Sequence, residues 1–292
     1  MSCPAPLNVA ATPMVRVPTP APWALASLDA VPLNTGFARA VVEGQVDGAL
    51  WVDRPEAPQV LHALHPYGMS LVWGEAVVQG LAPVLAHLRD GAYRGGMDEW
   101  LQIDPRWQGL GWDRALGVPA TPTADEAASC SLHTRINFRF DEALFLSRQH
   151  DARLPDGWRL RPATAEDFGL EGLVVPAQFW RDAAQFLAAG GGWCVEQDGR
   201  LGAIAFVSCR WGKDFEIGIE TLAHARRRGL GRAAAARLIA EVLRAGLTPV
   251  WACRMENAAS YQLAQALGFR PSCAIPYYRL SPCGGALPRG QS

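Results

Sequence analysis

A run of arginines interrupted by two glycines is the segment of this sequence whose residue types point most directly to chemistry. Residues 226–232 read RRRGLGR, and the alanine-rich stretch that follows predicts a helix over 229–245, after which Gly246 suits a left-handed helix end. The first turn of a helix leaves backbone N–H groups without partners and carries about half a positive charge. The two glycines let that backbone approach a ligand closely, and the arginines add permanent charge suited to phosphate oxygens. The pattern predicts a diphosphate-binding loop.

The spacing of the two glycines separates this loop from other phosphate-binding patterns. A dinucleotide fingerprint requires G-x-G-x-x-G and an acidic residue about 20 positions later, and a P-loop requires Gly-Lys-Ser or Gly-Lys-Thr; the loop has neither. Arg226, Gly229 and Gly231 instead give a spacing that resembles the coenzyme A signature of the GNAT (Gcn5-related) N-acetyltransferases, [Gln/Arg]-x-x-Gly-x-[Gly/Ala]. For the heptapeptide alone, a solvated arginine run before a helix is the alternative interpretation.

A second motif lies downstream of the first. The apolar residues 249–253 predict a short strand, and Asn257 stands where the N-cap of a helix over 258–267 is expected. The pattern N-x-x-S at 257–260, followed by L-G-F at 267–269, resembles the other GNAT hallmark, N-x-x-[Ala/Ser] followed by L-G-F. Because each hallmark falls on its expected strand-to-helix junction, the two support each other.

The elements upstream follow the order that the resemblance implies. The predicted elements are a strand over 158–162, a capped helix start at 164–167, a helix over 177–189, a hairpin of 193–196 and 201–207 around Asp198-Gly199, and a strand over 215–221. The resemblance covers residues 158–281. It implies an α+β GNAT fold, in which a mixed and mostly antiparallel sheet is flanked by helices.

The amino-terminal part of the chain is organised differently. Seven prolines in residues 1–32 predict a flexible arm, apart from a turn of helix near 23–28. The predicted elements after it are a hairpin over 37–52, strands at 60–64 and 70–73, a helix over 80–90, and strands at 100–103 and 135–140. Segments 51–55 and 65–70 resemble the degenerate GNAT-like half of a two-part bacterial branch. We therefore expect a smaller α/β domain over 33–150, a GNAT domain over 158–281 and a loose tail over 282–292.

One amino-terminal segment imitates the coenzyme A motif. Gln108 takes the first position and Gly111 the fourth, but the sixth is Asp113, whose carboxylate would repel a diphosphate. We expect this segment to be structural, a helix around 107–116 that packs a tryptophan. The chain is accordingly predicted to bind one coenzyme molecule, through its carboxy-terminal half.

Composition restricts the classes of protein that the chain can belong to. With 292 residues it can form two domains, and its net charge of −1 favours neither nucleic acid nor an anionic membrane as a partner. The seven cysteines are scattered singly and the six histidines do not cluster with them, which predicts reduced thiols and no metal site. The sequence shows neither a signal-peptide pattern nor an apolar run long enough to span a membrane, so we expect a cytoplasmic protein.

Acetyl transfer to an amine needs a base, because a free alkylamine is protonated at neutral pH. The resemblance places such a base on the strand over 215–221, where Glu216 and Glu220 are the carboxylates and share one face with Gly218 by alternation. A bulge at Gly218 would change that parity. Each glutamate has a second interpretation, as a solvated strand residue or a partner of the arginines.

The general acid is harder to assign, because Ala264 stands where many GNAT enzymes have a tyrosine. Tyr261 lies about one helical turn earlier and is the candidate that we name, while Tyr277 and Tyr278 lie on the predicted last strand. Packing is the alternative role for each of these tyrosines. Since a thiol has a pKa near 8.5, water is also a sufficient proton source for the leaving thiolate.

The resemblance implies that acetyl-CoA is the co-substrate, with its pantetheine arm along residues 219–221. The residues expected to bind it are Ile219, Glu220, Thr221, Arg226, Arg227, Arg228, Gly229, Leu230, Gly231, Arg232, Asn257 and Ser260. The predicted function is direct transfer of an acetyl group to the primary amine of a small molecule or of a protein N-terminus. The sequence leaves the acceptor, and assembly into a homodimer, open.

Two other functions remain in competition at this stage. A GNAT fold can serve as a non-catalytic coenzyme A binder or scaffold, and the missing tyrosine favours that alternative. An aminoacyl transferase with tandem GNAT-like halves ranks last. The intact diphosphate motif and the near-neutral net charge of −1 argue against transfer RNA as the donor.

Overall fold

The computed structural model describes residues 13–119, 129–148 and 154–282. Within them the strands are β1 Val15–Val17, β2 Ala49–Val52, β3 Val60–Leu64, β4 Met69–Gly74, β5 Glu99–Ile103, β6 Cys130–Phe140, β7 Arg159–Pro162, β8 Gly192–Gln197, β9 Arg200–Trp211, β10 Asp214–Thr221, β11 Thr248–Val250, β12 Ala252–Arg254 and β13 Phe269–Leu280. The α-helices are α1 Leu25–Asp29, α2 Gly36–Val42, α3 Leu81–Asp90, α4 Trp112–Leu116, α5 Glu142–Ser147, α6 Ala183–Ala188, α7 Leu230–Arg244 and α8 Ala258–Ala266.

The strands form two mixed sheets that are mostly antiparallel. One sheet has eight strands in the order β1-β2-β3-β4-β5-β13-β6-β12, and the other has five in the order β11-β10-β9-β8-β7. Among the strands of the described residues, β4 with β5 and β10 with β11 are the pairs that run in parallel. The predicted α+β architecture, mixed sheets flanked by helices, is confirmed.

The two halves of the chain exchange strands. The last strand of the amino-terminal half, β6, lies between β12 and β13, which both come from the carboxy-terminal half. In turn β13 lies between β5 and β6, with Tyr278 opposite Leu101 on one side and Leu132 on the other. The expected division of the chain between 150 and 158 is therefore crossed by backbone hydrogen bonds.

Local sequence explains the elements that carry the carboxy-terminal site. Asp198 and Gly199 join β8 to β9 with positive φ angles of 50° and 76°, as a two-residue hairpin turn requires. Ala233, Ala234, Ala235 and Ala236 are buried on α7, and their small side chains let the helix lie close against β8, β9 and β10. The helix ends before Gly246, which has a φ of 70°.

The strands β10 and β11 diverge after a short parallel contact. They pair only from Asp214 opposite Thr248 to Glu216 opposite Val250. Beyond that point β10 continues against β9 alone, while the chain passes through Trp251 into β12 and joins the other sheet by pairing with β6. The single strand predicted over 249–253 is thus two strands in different sheets, and a wedge opens between β10 and β12.

The predicted hairpin over 37–52 is wrong in its first part, where the structure has α2. Phe37, Ala38, Val41 and Val42 are all fully buried, because the helix packs against β3, β4 and β9. A helix that is apolar on nearly every side lacks the 3.6-residue pattern that distinguishes a surface helix from a strand. Only β2 remains of the expected hairpin.

The predicted helix over 177–189 is also shorter than expected. A 3-10 turn occupies Pro176–Gln178, and α6 begins only after Asp182, whose side chain accepts a hydrogen bond from the Gln185 N–H at 2.7 Å. Between them Trp180 donates from Nε1 to the Val207 carbonyl at 2.7 Å. The chain therefore leaves the helical path to reach β9, and the Asp182 cap starts the helix again.

Part of the segment expected to be a flexible arm is packed against the protein. β1 pairs antiparallel with β2, and a 3-10 turn at Pro22–Ala24 leads into α1, on which Leu28 is fully buried. The turn of helix expected near 23–28 is present. Residues 1–12, and the tail from 283 onward, lie outside the described residues. Over the described ranges, no helix is long and apolar enough to cross a membrane.

Candidate active site

Residues 226–232, which we call the arginine loop, lead from β10 into the first turn of α7 and have a backbone shape that lets a ligand approach closely. Arg227 and Gly229 both have left-handed backbone angles, with φ of 62° and 76°. The side chains of Arg226, Arg227 and Arg228 are exposed, and only Arg226 is tethered, by a hydrogen bond of 3.1 Å from Nε to the Thr221 carbonyl. The loop therefore curls at the start of α7 with its guanidinium groups facing solvent.

Gly231 brings the start of α7 directly against the end of β10. A Cβ atom at this position would lie 2.7 Å from Thr221 Oγ1 and 3.3 Å from Ile219 Cδ1, so no larger residue fits without a shift. The N–H groups of Leu230, Gly231 and Arg232 belong to the first helical turn and have no acceptor within the helix. These donors and the exposed arginines fit the diphosphate of coenzyme A.

A cavity of about 400 Å³ lies in the wedge between β10 and β12. Residues 216–219 of β10 line one side, and residues 251–254 line the other. The amino-terminal half closes the cavity with Tyr67, Met69, Trp100 and Arg135. The site is thus formed jointly by both halves of the chain.

Asn257 and Ser260 line this cavity and fix the end of β12. The Asn257 side chain accepts a hydrogen bond from the Ser260 N–H at 3.1 Å, as predicted for an N-cap of α8. Ser260 Oγ in turn accepts a hydrogen bond from Trp251 Nε1 at 3.2 Å. The hallmark serine therefore holds the tryptophan at which the chain passes from one sheet to the other.

Glu216 is buried at the inner end of the cavity. Its Oε1 lies 3.7 Å from Arg135 Nη2, and its Oε2 has no hydrogen-bond partner among the described residues. Burial raises the pKa of the Glu216 carboxyl above its usual value, and the neighbouring Arg135 guanidinium opposes that rise. A carboxylate that is easily protonated and faces a cavity can accept a proton from a bound amine.

Comparison with known families and structures agrees with the geometry. Residues 152–278 match the profile of the GNAT acetyltransferase family. The carboxy-terminal half of this chain is a GNAT domain. No protein with a curated function matches the sequence.

Solved structures show that the GNAT fold extends over both halves. A GCN5-related N-acetyltransferase-like protein from Streptococcus suis 89/1591 is 22% identical, with 88% of this chain and 96% of that chain covered and a TM-score of 0.63. A GNAT-family acetyltransferase from Colwellia psychrerythraea is 10% identical, with 92% and 99% covered and a TM-score of 0.55. A tandem GNAT protein from the clavulanic acid biosynthesis pathway is 13% identical, with 88% and 90% covered and a TM-score of 0.55. The resemblance to a two-part GNAT protein is confirmed.

Within the GNAT domain, Glu220 has a different environment from Glu216. Its Oε2 accepts hydrogen bonds from the N–H groups of Leu173 and Val174, both at 3.0 Å, and its Oε1 accepts one from Thr221 at 3.2 Å. The side chain does not line the cavity described above. Glu220 ties residues 173–174, which do line the cavity, to the outer end of β10.

The pairing of β10 with β9 contains a β-bulge beside Glu216. The bulge position considered from sequence, Gly218, lies one to two residues further along. The register between β10 and β9 shifts between Glu216 and Ile217, so that Ser208 on β9 has no partner across the ladder. Ser208 Oγ donates to the Glu216 carbonyl at 3.3 Å. The bulge thus lies at the innermost point of the wedge, where bulges commonly accompany active sites.

The structure does not bring Tyr261 to the cavity. Its ring packs on Phe138 with centroids 5.5 Å apart, and Ala264 on the same helix is fully buried. Tyr67 and Tyr277 line the cavity instead. Burial raises the pKa of Tyr67, and burial raises the pKa of Tyr277 to about 12 against the opposing charge of Arg135. Tyr67 was missed because sequence alone does not indicate which amino-terminal loop meets the GNAT domain.

The amino-terminal half has no comparable wedge among its described residues. β4 and β5 stay paired from Met69 opposite Trp100 to Val72 opposite Ile103, and the Asp104 N–H donates to the Val72 carbonyl at 2.9 Å. Only two residues of β4 extend beyond that pairing, whereas β10 runs five residues past its last partner in β11.

The segment that imitates the coenzyme A motif closes this end of the amino-terminal sheet. It forms a 3-10 helix at Pro105–Leu110 and then α4, after β5, whereas the loop equivalent to the arginine loop is the one between β4 and α3. Trp107 Nε1 donates to the Gly74 carbonyl at 2.8 Å, and Arg106 binds Glu75 at 2.9 Å. Trp112 is buried, as expected for a structural segment.

Proposed function

We propose that this chain is an acetyl-CoA-dependent N-acetyltransferase that transfers the acetyl group directly to a primary amine. The observation that carries the proposal is the cavity in the wedge between β10 and β12. It is lined by the buried carboxylate of Glu216, which lies on the strand that leads to the arginine loop. Diphosphate binding alone would not need, at the other end of the site, a carboxylate with one oxygen that has no hydrogen-bond partner in the described part of the chain.

The residues present suit coenzyme A along the whole wedge. Residues 226–232 would hold the diphosphate through backbone N–H groups and guanidinium charge. The free edge of β10 at Ile219, Glu220 and Thr221 would pair with the amide groups of the pantetheine arm as an added strand does. Asn257 and Ser260 border the opposite side of the same passage.

In the proposed reaction the protonated amine loses two protons, one to Glu216 before the attack and one after the C–N bond has formed. The leaving thiolate gains one proton, and the other passes to solvent. The thioester supplies an activated acyl carbon, which the amine nitrogen attacks once Glu216, directly or through water, has taken its proton. The C–N bond forms, the C–S bond breaks, and a backbone N–H of β10 polarises the carbonyl oxygen. Tyr67 and Tyr277 line the cavity and carry their phenolic protons at neutral pH, as tyrosines ordinarily do, so they are candidate donors to the thiolate.

A non-catalytic coenzyme A binder is the alternative, and the position of Tyr261 away from the cavity favours it. A panel of primary amines incubated with acetyl-CoA, with free thiol and amide products both measured, separates the two functions. The proposal expects thiol and amide in equal amounts with at least one amine. Coenzyme binding without amide formation from any amine, including N-terminal peptides, would favour the binder.

A further inference from the structure

Two arginines from different halves of the chain lie side by side in the cavity. Arg135 on β6 and Arg254 on β12 are directly opposite each other in the antiparallel ladder, and both line the cavity. Directly opposed residues of such a pair lie on the same face with Cβ atoms about 5 Å apart, and like charges in this arrangement are destabilising. An arrangement of this kind calls for a compensating negative charge.

Each guanidinium is held in place by an aromatic ring. Arg254 lies over the Trp100 ring at 4.5 Å from its centroid, and Arg135 lies over the Tyr277 ring at 5.4 Å. Stacking fixes the plane of a guanidinium and leaves its N–H edge available for hydrogen bonds. Arg135 is buried, and its Nε has no hydrogen-bond partner among the described residues.

The nearby carboxylates do not balance these two charges. Glu216 Oε1 lies 3.7 Å from Arg135 Nη2, beyond hydrogen-bond distance, and one carboxylate does not balance two guanidinium groups. Within the described residues, no carboxylate oxygen lies within 4.0 Å of the Arg254 guanidinium. Glu256, two positions along the chain, pairs with His133 at 3.5 Å. Arg135 is buried and Arg254 is half-buried, and holding two partly desolvated positive charges with so little counter-charge is costly. A ligand oxyanion would offset that cost.

Building on the proposed function, we infer that the acceptor is an amine that also carries an oxyanion, a carboxylate or a phosphate, which Arg135 and Arg254 bind together. The amine of such a molecule faces Glu216, and the oxyanion occupies the N–H edges of the two guanidinium groups. The aromatic rings that hold the arginines form the walls around it.

The test compares matched amines with acetyl-CoA as donor. Phenylalanine is paired with 2-phenylethylamine, and O-phosphoethanolamine with ethanolamine, so that the arms separate carboxylate from phosphate. We expect the oxyanion-bearing member of at least one pair to have a kcat/KM about tenfold to 100-fold higher. Arg254→Gln should remove that ratio mainly through KM. Equal kcat/KM values within both pairs, or an unchanged ratio in Arg254→Gln, would overturn the inference.

A matched control variant and a binding measurement keep the two proposals separate. Arg237→Gln changes an exposed arginine of α7 that stacks over Trp193 at 4.3 Å, outside the cavity, and should leave the ratio unchanged. Calorimetry with coenzyme A present should show N-acetylphenylalanine or inorganic phosphate binding at least tenfold more tightly to the wild type than to Arg254→Gln. If no amine is acetylated, the proposed N-acetyltransferase function fails, but this titration still tests whether the two arginines bind an oxyanion. Absence of anion binding to the wild type would contradict oxyanion binding by Arg135 and Arg254.

Discussion

Glu216 is buried, lines the cavity, and has one carboxylate oxygen without a hydrogen-bond partner over the described ranges. A purely structural strand residue would not need this combination. Of the residues that the structure describes, Arg135 from the other half of the chain is its charged neighbour within 4.0 Å. The neighbouring candidate, Glu220, has both oxygens engaged by backbone N–H groups. At the scale of single residues, these contacts separate a candidate base from an anchor.

We predict that Glu216→Gln lowers kcat by about 10²–10⁴-fold at neutral pH with little change in coenzyme affinity, because amide nitrogen and oxygen do not accept the amine proton. Burial raises the Glu216 pKa, so the proton-accepting form is lost as the pH falls through that raised value. The wild-type kcat/KM should therefore decline on the acid side, and the variant should lack that limb. Initial rates, followed by thiol release across the pH range, test both the loss of kcat and the loss of the acid limb. Full turnover in Glu216→Gln would show that Glu216 is not the base.

Part of the site could be predicted from sequence, because it depends on local signals. The helix-starting glycines, the Asn257 cap and the β8–β9 turn are fixed by a few neighbouring residues, and the structure has all three. Tyr67 and Trp100 reach the cavity only through the exchange of β6 and β13. Strand exchange depends on long-range pairing, which no local period or turn residue encodes.

At the scale of elements, β10 positions the site, because the loop over 172–175 and the start of α7 both contact it directly. Glu220 binds the N–H groups of Leu173 and Val174, and Gly231 lets α7 begin against Ile219 and Thr221. The bulge at Ser208 lies at the innermost point of the same strand. Cavity wall, arginine loop and base therefore share one rigid strand, which is how a site keeps its geometry.

We predict that Glu220→Ala frees the loop over 172–175 without removing the acid limb of the pH profile. Two loop N–H groups lose their acceptor, so proteolysis within the loop should become faster and the KM for the acceptor should rise several-fold. Limited proteolysis and initial rates measure the two effects. Glu196→Ala, which removes a carboxylate paired with Arg159 and Arg161 at the other edge of the sheet, is the control. Loss of the acid limb in Glu220→Ala would instead give Glu220 the role of base.

At the scale of the whole molecule, the halves are joined through the eight-stranded sheet. β6 pairs with β13 along its whole length, from Phe140 opposite Phe269 to Cys130 opposite Leu280. Its other edge pairs with β12. Removing the amino-terminal half would therefore withdraw the strand between β12 and β13 and leave both without their partner.

We predict that residues 154–292 alone do not unfold cooperatively, because β12 and β13 lose their ladder partner and expose apolar surface. Co-expression with residues 1–148 should restore a folded complex that binds acetyl-CoA. Thermal unfolding followed by circular dichroism, with the intact chain as control, measures this. A cooperative transition in the isolated carboxy-terminal piece would show that the exchanged strand is dispensable.

The most direct test of the central claim, that one site in the wedge between β10 and β12 serves the whole chain, is a calorimetric titration with acetyl-CoA. We predict one molecule bound per chain, with affinity reduced about tenfold or more by Arg228→Glu, an exposed position in the arginine loop. Arg200→Glu, at the exposed first residue of β9, should not change it. Two molecules per chain, or binding lost on changing Gln108 and Gly111 but kept in Arg228→Glu, would contradict the account.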